Sequence, residues 1–238
     1  MIIETLSIII PVYNEASTIR LVLDRVCSIQ LIDNIEKEII VINDGSTDDS
    51  EEIINKYMAG CPTSIKFISN SQNRGKGASV AAGILQATGD FVVIQDADLE
   101  YDPREFNILL EPIIQGYADV VYGSRFLGGK AHRILFFWHS LGNRFLTFLS
   151  NMFTNLNLTD METCYKMIRT SMIAPLAIRE KRFGFEPEIT AKLAKIKDIR
   201  IYEVGISYYG RKFKEGKKIN WKDGIRAIYC VLRYNLFS

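Results

Sequence analysis

The 238-residue sequence predicts an α/β protein whose central sheet is mostly parallel and carries helices on both faces. Three observations carry that prediction. β-Branched and aromatic runs recur at residues 6–12, 39–42, 65–68, 91–94 and 118–122. Each breaks into a polar turn, and a helix-period stretch precedes the next run. Most of the runs lack polar–apolar alternation, as strands covered on both faces do. Strand and helix in alternation build crossover units, which set successive strands parallel and cover both faces of the sheet. All five polar turns then share one edge, where open α/β sheets bind ligands.

Taken in order, the run ending at Pro11 and Val12 turns through Tyr13, Asn14 and Glu15 into an amphipathic helix over 19–29. The second run ends in Asn43, Asp44, Gly45 and Ser46, and Ser46 or Thr47 with Asp48 and Glu51 supplies cap and first-turn signals for a helix reaching Met58. After the third run, Asn73, Arg74, Gly75, Lys76 and Gly77 form a turn that opens a helix through Ala87. Free N–H groups and the dipole at such a helix start favour phosphate, although the spacing is not that of a Walker motif. The spacing alone is weak evidence for phosphate, and a plain helix start is the simpler reading. A helix over 105–115 leads to the fifth run, which closes on Gly123, Ser124 and Arg125.

The character changes after Gly129. Residues 134–153 are aromatic and apolar but punctuated by Arg133, His139, Asn143 and Arg144, with His132 just before them. That pattern predicts an amphipathic helix lying in a membrane interface or, equally, a core helix. An acidic turn at Asp160 and Glu162 runs into strand-like residues 164–167, and a helical stretch continues to about 178. An aromatic and acidic turn at 183–188, a helix over 189–194 and a strand over 199–207 follow. The tail is basic and amphipathic, with Arg211, Lys212, Lys214, Lys217, Lys218, Lys222 and Arg226 interleaved with apolar residues. It suits an anionic membrane surface, a phosphate ligand or a solvated helix. The expected organisation is one unit over 1–210, including an interfacial stretch at about 131–155, and a tail over 211–238.

Composition bounds the function. A hydrophobic fraction of 47%, 24% charged residues and a net charge of +1 argue against disorder and against a polybasic nucleic-acid binder. Cys27, Cys61, Cys164 and Cys230 are scattered without a CxxC pair, and His132 and His139 are the only histidines. Neither a zinc site nor a disulfide framework is suggested, and reduced cytosolic thiols are expected. Residues 1–11 read as a strand rather than a leader, and no stretch reaches the ~18 uncharged apolar residues of a spanning helix. The expected protein is soluble or peripheral to a membrane.

The sharpest chemical feature is Asp96, Asp98 and Glu100 directly behind the 91–94 run. Carboxylates so close together repel one another, and a hard divalent cation resolves the repulsion. Mg2+ or Mn2+ takes one or two protein carboxylates and fills its other positions with water and phosphate oxygens. Acids that cap a turn are the simpler alternative.

The order and spacing of these turns closely resemble family 2 glycosyltransferases of the GT-A fold. The residues that carry the likeness are IIIPVYNE (8–15), VINDGSTD (41–48), NRGKG (73–77), QDADLE (95–100) and GSRF (123–126). Within the family the whole looks most like the dolichyl- and undecaprenyl-phosphate sugar transferases, because RKFKEGK (211–217) resembles their Arg-x-x-Gly-x-Ser-Lys element. The resemblance implies a Rossmann-like, mostly parallel sheet with flanking helices and amphipathic interface helices. It implies that Pro11, Tyr13, Glu15, Asp44, Lys76 and Asp96 hold a UDP- or GDP-linked sugar. Asp96 and Asp98 would bind Mg2+ or Mn2+, with Glu100 as a third contact. Arg125 and Arg211 would face phosphates, joined by Lys217.

The activity so implied is inverting, metal-dependent transfer of a hexose to polyprenyl phosphate at the cytosolic membrane face, with Asp98, Arg125 and Arg211 as the catalytic groups. Membrane attachment would come from the amphipathic stretches or from a membrane-spanning partner protein. An anionic lipid phosphate needs cations rather than a strong base. If the acceptor is instead a glycan or other hydroxyl, a carboxylate must take its proton, and Glu162 or Asp160 is the candidate. A non-catalytic nucleotide-binding module is the remaining alternative.

Overall fold

The computed structural model describes residues 3–61, 63–128, 133–134, 136–210 and 221–237. The predicted alternation is present as β1 (Thr5–Val12), α1 (Ile19–Ser28), β2 (Glu36–Asn43), α2 (Ser50–Gly60), β3 (Ile65–Ser69), α3 (Lys76–Gln86), β4 (Phe91–Ile94), α4 (Phe106–Ile114) and β5 (Val120–Ser124). The second half contributes α5 (Phe137–Thr154), β6 (Lys166–Arg169), the single-turn α6 (Thr170–Ile173), α7 (Phe185–Leu193), β7 (Ile201–Gly205) and α8 (Trp221–Leu236).

One seven-stranded sheet runs in the order β3-β2-β1-β4-β6-β5-β7. β1 pairs parallel with β2 and β4, β2 with β3, and β5 with β7. β6 is the exception: it enters between β4 and β5 and runs antiparallel to both. Its register, Val93 opposite Met167, sets the residues before Lys166 beside the C-terminal end of β4. The antiparallel insertion therefore delivers residues 162–165 to the edge where the parallel strands end.

Burial explains the element types. Ile8, Ile9 and Ile10 of β1, Ile39 to Ile42 of β2 and Phe91 and Val93 of β4 are fully buried, as interior strands under two helix layers require. α1 buries Ile19, Val22, Leu23 and Val26, an i, i+3, i+4, i+7 set. α7 corrects the predicted boundary: residues 185–188, read as a turn, form its first turn. Pro187 is tolerated so early in a helix, and Glu186 and Glu188 suit the positive end of its dipole. The helical stretch expected to reach about 178 is instead α6 and a 3-10 turn over Ala174–Leu176 carrying Pro175.

α5 and α8 pack against one another. On α5, Phe137, Trp138, Leu141, Phe145, Phe148 and Met152 are exposed at helical spacing, with Trp138 77% accessible. On α8, Trp221, Ile225, Tyr229, Leu232 and Leu236 form a matching outward stripe, with Trp221 72% accessible. Among the described residues, no helix is long and apolar enough to cross a membrane.

Glu38 ties four segments together near the sheet's other end. Its carboxylate accepts from Lys66 of β3, from Ser7 Oγ of β1 at 2.5 Å, and from the Thr88 backbone N–H and hydroxyl at 2.8 Å each. Burial pushes its pKa up, but these donors outweigh burial and bring it to about 2. A depressed carboxyl pKa stabilises the fold above the unfolded value and is lost as pH falls through the folded one. Between pH 5 and pH 2, wild-type stability measured by urea denaturation should fall by about 2 kcal/mol more than that of Glu38→Gln. Parallel curves would contradict this role.

Candidate active site

A cavity of about 440 Å³ opens at the C-terminal ends of β1, β2, β4 and β5. β1 supplies Pro11 and is followed by Tyr13 and Glu15, β2 is followed by Asp44, and β4 by Asp96, Asp98 and Glu100. Lys76 comes from the first residue of α3, Arg125 from the end of β5, and Glu162 and Cys164 from the approach to β6. Ten sequence-predicted site residues thus line one cavity. Asp160 lies behind it, and Arg211 and Lys217 fall outside the described residues.

The turn before α3 has a different job from the one its sequence suggests. Asp44 accepts from Asn70 Nδ2 at 3.0 Å and from the backbone N–H groups of Arg74 and Gly75 at 3.0 and 2.7 Å. The Ala78 N–H donates to the Lys181 carbonyl at 3.1 Å. The N–H groups of Arg74, Gly75 and Ala78 are therefore engaged by the protein itself. The glycines answer to close packing. Gly75 has φ +98°, and a Cβ there would meet the Lys181 carbonyl oxygen at 2.3 Å, while one on Gly77 would meet that of Glu180 at 2.1 Å. Asp44 and the 180–182 segment between them lock the start of α3 against the cavity wall.

Lys76 projects from that locked turn to Asp96, Nζ to Oδ1 at 2.6 Å. Burial would lower its pKa, but Asp96, Cys164 and Glu186 together hold it well above the ordinary lysine value, so the ammonium persists. Leu99 adopts φ +65°, a left-handed conformation costly for a branched side chain. It bends the chain so that Asp98 Oδ1 accepts from the Glu100 N–H at 3.1 Å. Glu100 Oε2 in turn accepts from the Tyr208 hydroxyl at 2.8 Å. Among the described residues, no group of three or more His, Cys, Asp or Glu side chains is gathered as a metal cage. Two cavity-lining carboxylates, Asp96 and Asp98, nevertheless fit the sparse protein donor set of Mg2+ or Mn2+, whose remaining positions go to water and phosphate. The ammonium against Asp96 shows that this carboxylate already takes a cation.

Arg125 is fixed from behind. Its Nε and Nη2 donate to the Asp160 carboxylate at 2.6 and 2.8 Å, and its backbone N–H adds a third bond at 3.1 Å. Asn143 Nδ2 donates to Asp160 as well, at 3.2 Å, and Asp160 is fully buried. Asp160 is thus a positioning partner for Arg125, with both oxygens occupied, rather than an acid presented to a ligand. Burial would lower the Arg125 pKa, yet Asp160 keeps it well above the usual value and the guanidinium cationic.

Glu162 differs. It lines the cavity, and its buried Oε1 has no hydrogen-bond partner. Burial and then Glu186 push its pKa up to about 7, against Lys166 and Arg125. Sequence reading did not single out Lys166 and Glu186, which form a buried ion pair beneath the cavity. A lysine inside a short apolar strand was the available signal, since buried lysine needs a partner. Arg182 and Phe183, also lining residues, carried no comparable signal.

A raised carboxyl pKa means that the folded state keeps a proton that the unfolded chain releases, so its contribution is lost as pH rises from about 4.5 to about 7. Thermal or urea unfolding should show wild type losing about 2 kcal/mol relative to Glu162→Gln between pH 5 and pH 8. A difference independent of pH would contradict the buried, proton-holding environment of Glu162.

The chain matches the model of Glycosyl transferase family 2 over residues 7–176. It is 26% identical over 215 residues to undecaprenyl-phosphate 4-deoxy-4-formamido-L-arabinose transferase of Pectobacterium carotovorum subsp. carotovorum, covering 90% of this chain and 63% of that protein. The enzyme of the same name from Aeromonas hydrophila subsp. hydrophila is 29% identical over 217 residues with the same coverage. The chain therefore spans just under two thirds of the length of these relatives. In three dimensions it resembles glucosyl-3-phosphoglycerate synthase from Mycobacterium tuberculosis crystallised with Mn2+, UDP and phosphoglyceric acid, at TM-score 0.71 and 18% identity over 99% of this chain and 80% of that one. The same enzyme with UDP gives TM-score 0.72 and 20% identity over 97% and 80%. The sheet with its flanking helices is the expected GT-A fold. Because the family pattern runs from β1 through the antiparallel return of β6 and takes in every strand that borders the cavity, the chain belongs to glycosyl transferase family 2.

Proposed function

We propose that the chain moves a hexosyl group, with inversion, from a UDP- or GDP-linked sugar to a polyprenyl phosphate at the cytosolic face of a membrane. The observation that carries this reading is one cavity in which the Asp44-locked turn, the Asp96 and Asp98 carboxylates and the Asp160-anchored Arg125 guanidinium converge. Support comes from relatives named as undecaprenyl-phosphate sugar transferases and from a structural neighbour crystallised with Mn2+ and UDP.

On this reading Pro11, Tyr13 and Glu15 border the nucleoside and Asp44 shapes the wall beside it. Asp96 and Asp98 are the residues that would hold Mg2+ or Mn2+, which neutralises charge on a departing diphosphate when bound. Lys76 and Arg125 are fixed cations at the same cavity, and preorganised charge lowers the barrier because nothing must reorient as the leaving group becomes anionic. Tyr101 and Phe183 line the cavity and limit water near the anomeric carbon. A phosphate acceptor is already an anion, so attack needs orientation and cations only. The exposed apolar stripes of α5 and α8 provide the membrane contact, each burying aromatic residues at the headgroup boundary.

Glu162 supports a second reading. A cavity-lining carboxyl poised near pH 7 suits a general base, and a hydroxyl acceptor would require one. Asp160 does not share that suitability, because Arg125 and Asn143 occupy its oxygens.

The two readings separate on Glu162→Gln, assayed with radiolabelled nucleotide sugar. Transfer to polyprenyl phosphate should yield an organic-extractable, mild-acid-labile product at a rate within about tenfold of wild type. A loss of ~10²–10⁴-fold, the range for removing a general base, would favour the hydroxyl acceptor instead.

A further inference from the structure

We propose that a second, basic hollow beside the active site receives the phosphate of the acceptor lipid before transfer, an inference that rests on the reading of that acceptor as a polyprenyl phosphate. The hollow, about 630 Å³, lies between the 179–182 segment and the first turns of α8. Arg179, Lys181, Arg182, Lys222 and Arg226 line it, against the two carboxylates of Glu180 and Asp223. Both carboxylates are already spent on cations. Glu180 accepts from Arg226 Nε and Nη2 at 2.9 and 2.8 Å and from the Tyr234 hydroxyl at 3.1 Å, and Asp223 accepts from Arg182 Nε at 3.3 Å. Among the described residues lining the hollow the surplus is positive.

The donor cavity has the opposite balance. Seven carboxylates line it, Glu15, Asp44, Asp96, Asp98, Glu100, Glu162 and Glu186, against the cations Lys76, Arg125 and Arg182. With Glu186 paired to Lys166 and Glu162 able to keep its proton, one divalent ion brings the described lining close to neutrality, whereas the described lining of the hollow keeps a positive surplus. A phosphate headgroup approaching from solvent is therefore attracted first by the neighbouring hollow, so the charge distribution orders the encounter. Arg182 lines both spaces, which makes it the guanidinium that a phosphate would meet on passing from one to the other. The segment carrying it is held in place, since the Lys181 carbonyl accepts from Ala78 at the start of α3.

The surroundings also suit a long prenyl chain. The outward face of α8 carries Trp221, Ile225, Tyr229, Leu232 and Leu236, and Lys222, Arg226 and Arg233 lie along one border of that stripe. A headgroup in the hollow would therefore leave its hydrocarbon beside an exposed apolar surface. Bulk anionic phospholipid shares the phosphate chemistry but would gain nothing from a cation shared with the donor cavity.

The test uses Lys181→Glu and Lys222→Glu, singly and together, in the full chain with undecaprenyl phosphate in uncharged detergent micelles. The double variant should raise KM for the acceptor by about tenfold, with KM for the nucleotide sugar and the melting temperature unchanged. An unchanged acceptor KM in these variants, while wild type transfers normally, overturns the proposal. So does a loss confined to sedimentation with phosphatidylglycerol vesicles, which would make the hollow a general anionic-lipid contact. Failure of wild type to transfer to any polyprenyl phosphate defeats the acceptor reading itself, and the hollow's role with it.

Discussion

The structure depends on charge compensation at one edge of the sheet. Parallel strands ending together bring acids from distant parts of the sequence into one cavity, and uncompensated carboxylates in such a place would destabilise the fold. Each of three cations answers one acid: Lys76 meets Asp96, Arg125 meets Asp160, and Lys166 meets Glu186. For the buried Lys166–Glu186 pair, removing one member leaves the other charge unsolvated, at a typical cost of about 3–5 kcal/mol. These pairs fix the cavity wall, while Asp96 also faces the cavity beside Asp98, where the proposed metal would sit.

The antiparallel β6 makes this arrangement possible. A purely parallel sheet would present only strand C-termini at the active edge. By running backwards between β4 and β5, β6 brings its approach segment there instead, so that Cys164 sits beside Ile94 and Lys76, 70 and 88 positions earlier, and Asp160 beside Arg125. Tyr165 fastens the junction by donating to Gln95 Oε1 at 2.6 Å, directly next to Asp96.

Much of this was legible in the sequence, and the failures have physical causes. The runs at 6–12, 39–42 and 91–94 announced buried parallel strands because β-branched residues without alternation have few other homes. The turn residues following them gathered in one cavity for the same topological reason. The glycines of 73–77 were ambiguous, since a glycine that admits phosphate and a glycine that admits a neighbouring backbone look alike in sequence. Only the fold shows the 180–182 segment lying where a Cβ would be. Asp160 and Glu162 were interchangeable as candidate bases on paper. Tertiary structure separates them by placing Arg125 on one and leaving the other without a hydrogen bond on its buried oxygen. Cys27 and Cys61, scattered by sequence, lie with sulfurs 3.8 Å apart. Helical spacing revealed the apolar stripes of α5 and α8, but only packing shows that both stripes face outward together.

The central claim is that the acids behind β4 act on the donor and are not merely turn-forming residues. Asp98→Asn tests it most directly, because it keeps side-chain shape and removes the charge. The account predicts that Mn2+-dependent binding of nucleotide sugar is lost and turnover falls by about 10²–10³-fold, while the melting temperature without ligand stays near wild type. Retention of both metal-dependent binding and turnover would contradict it.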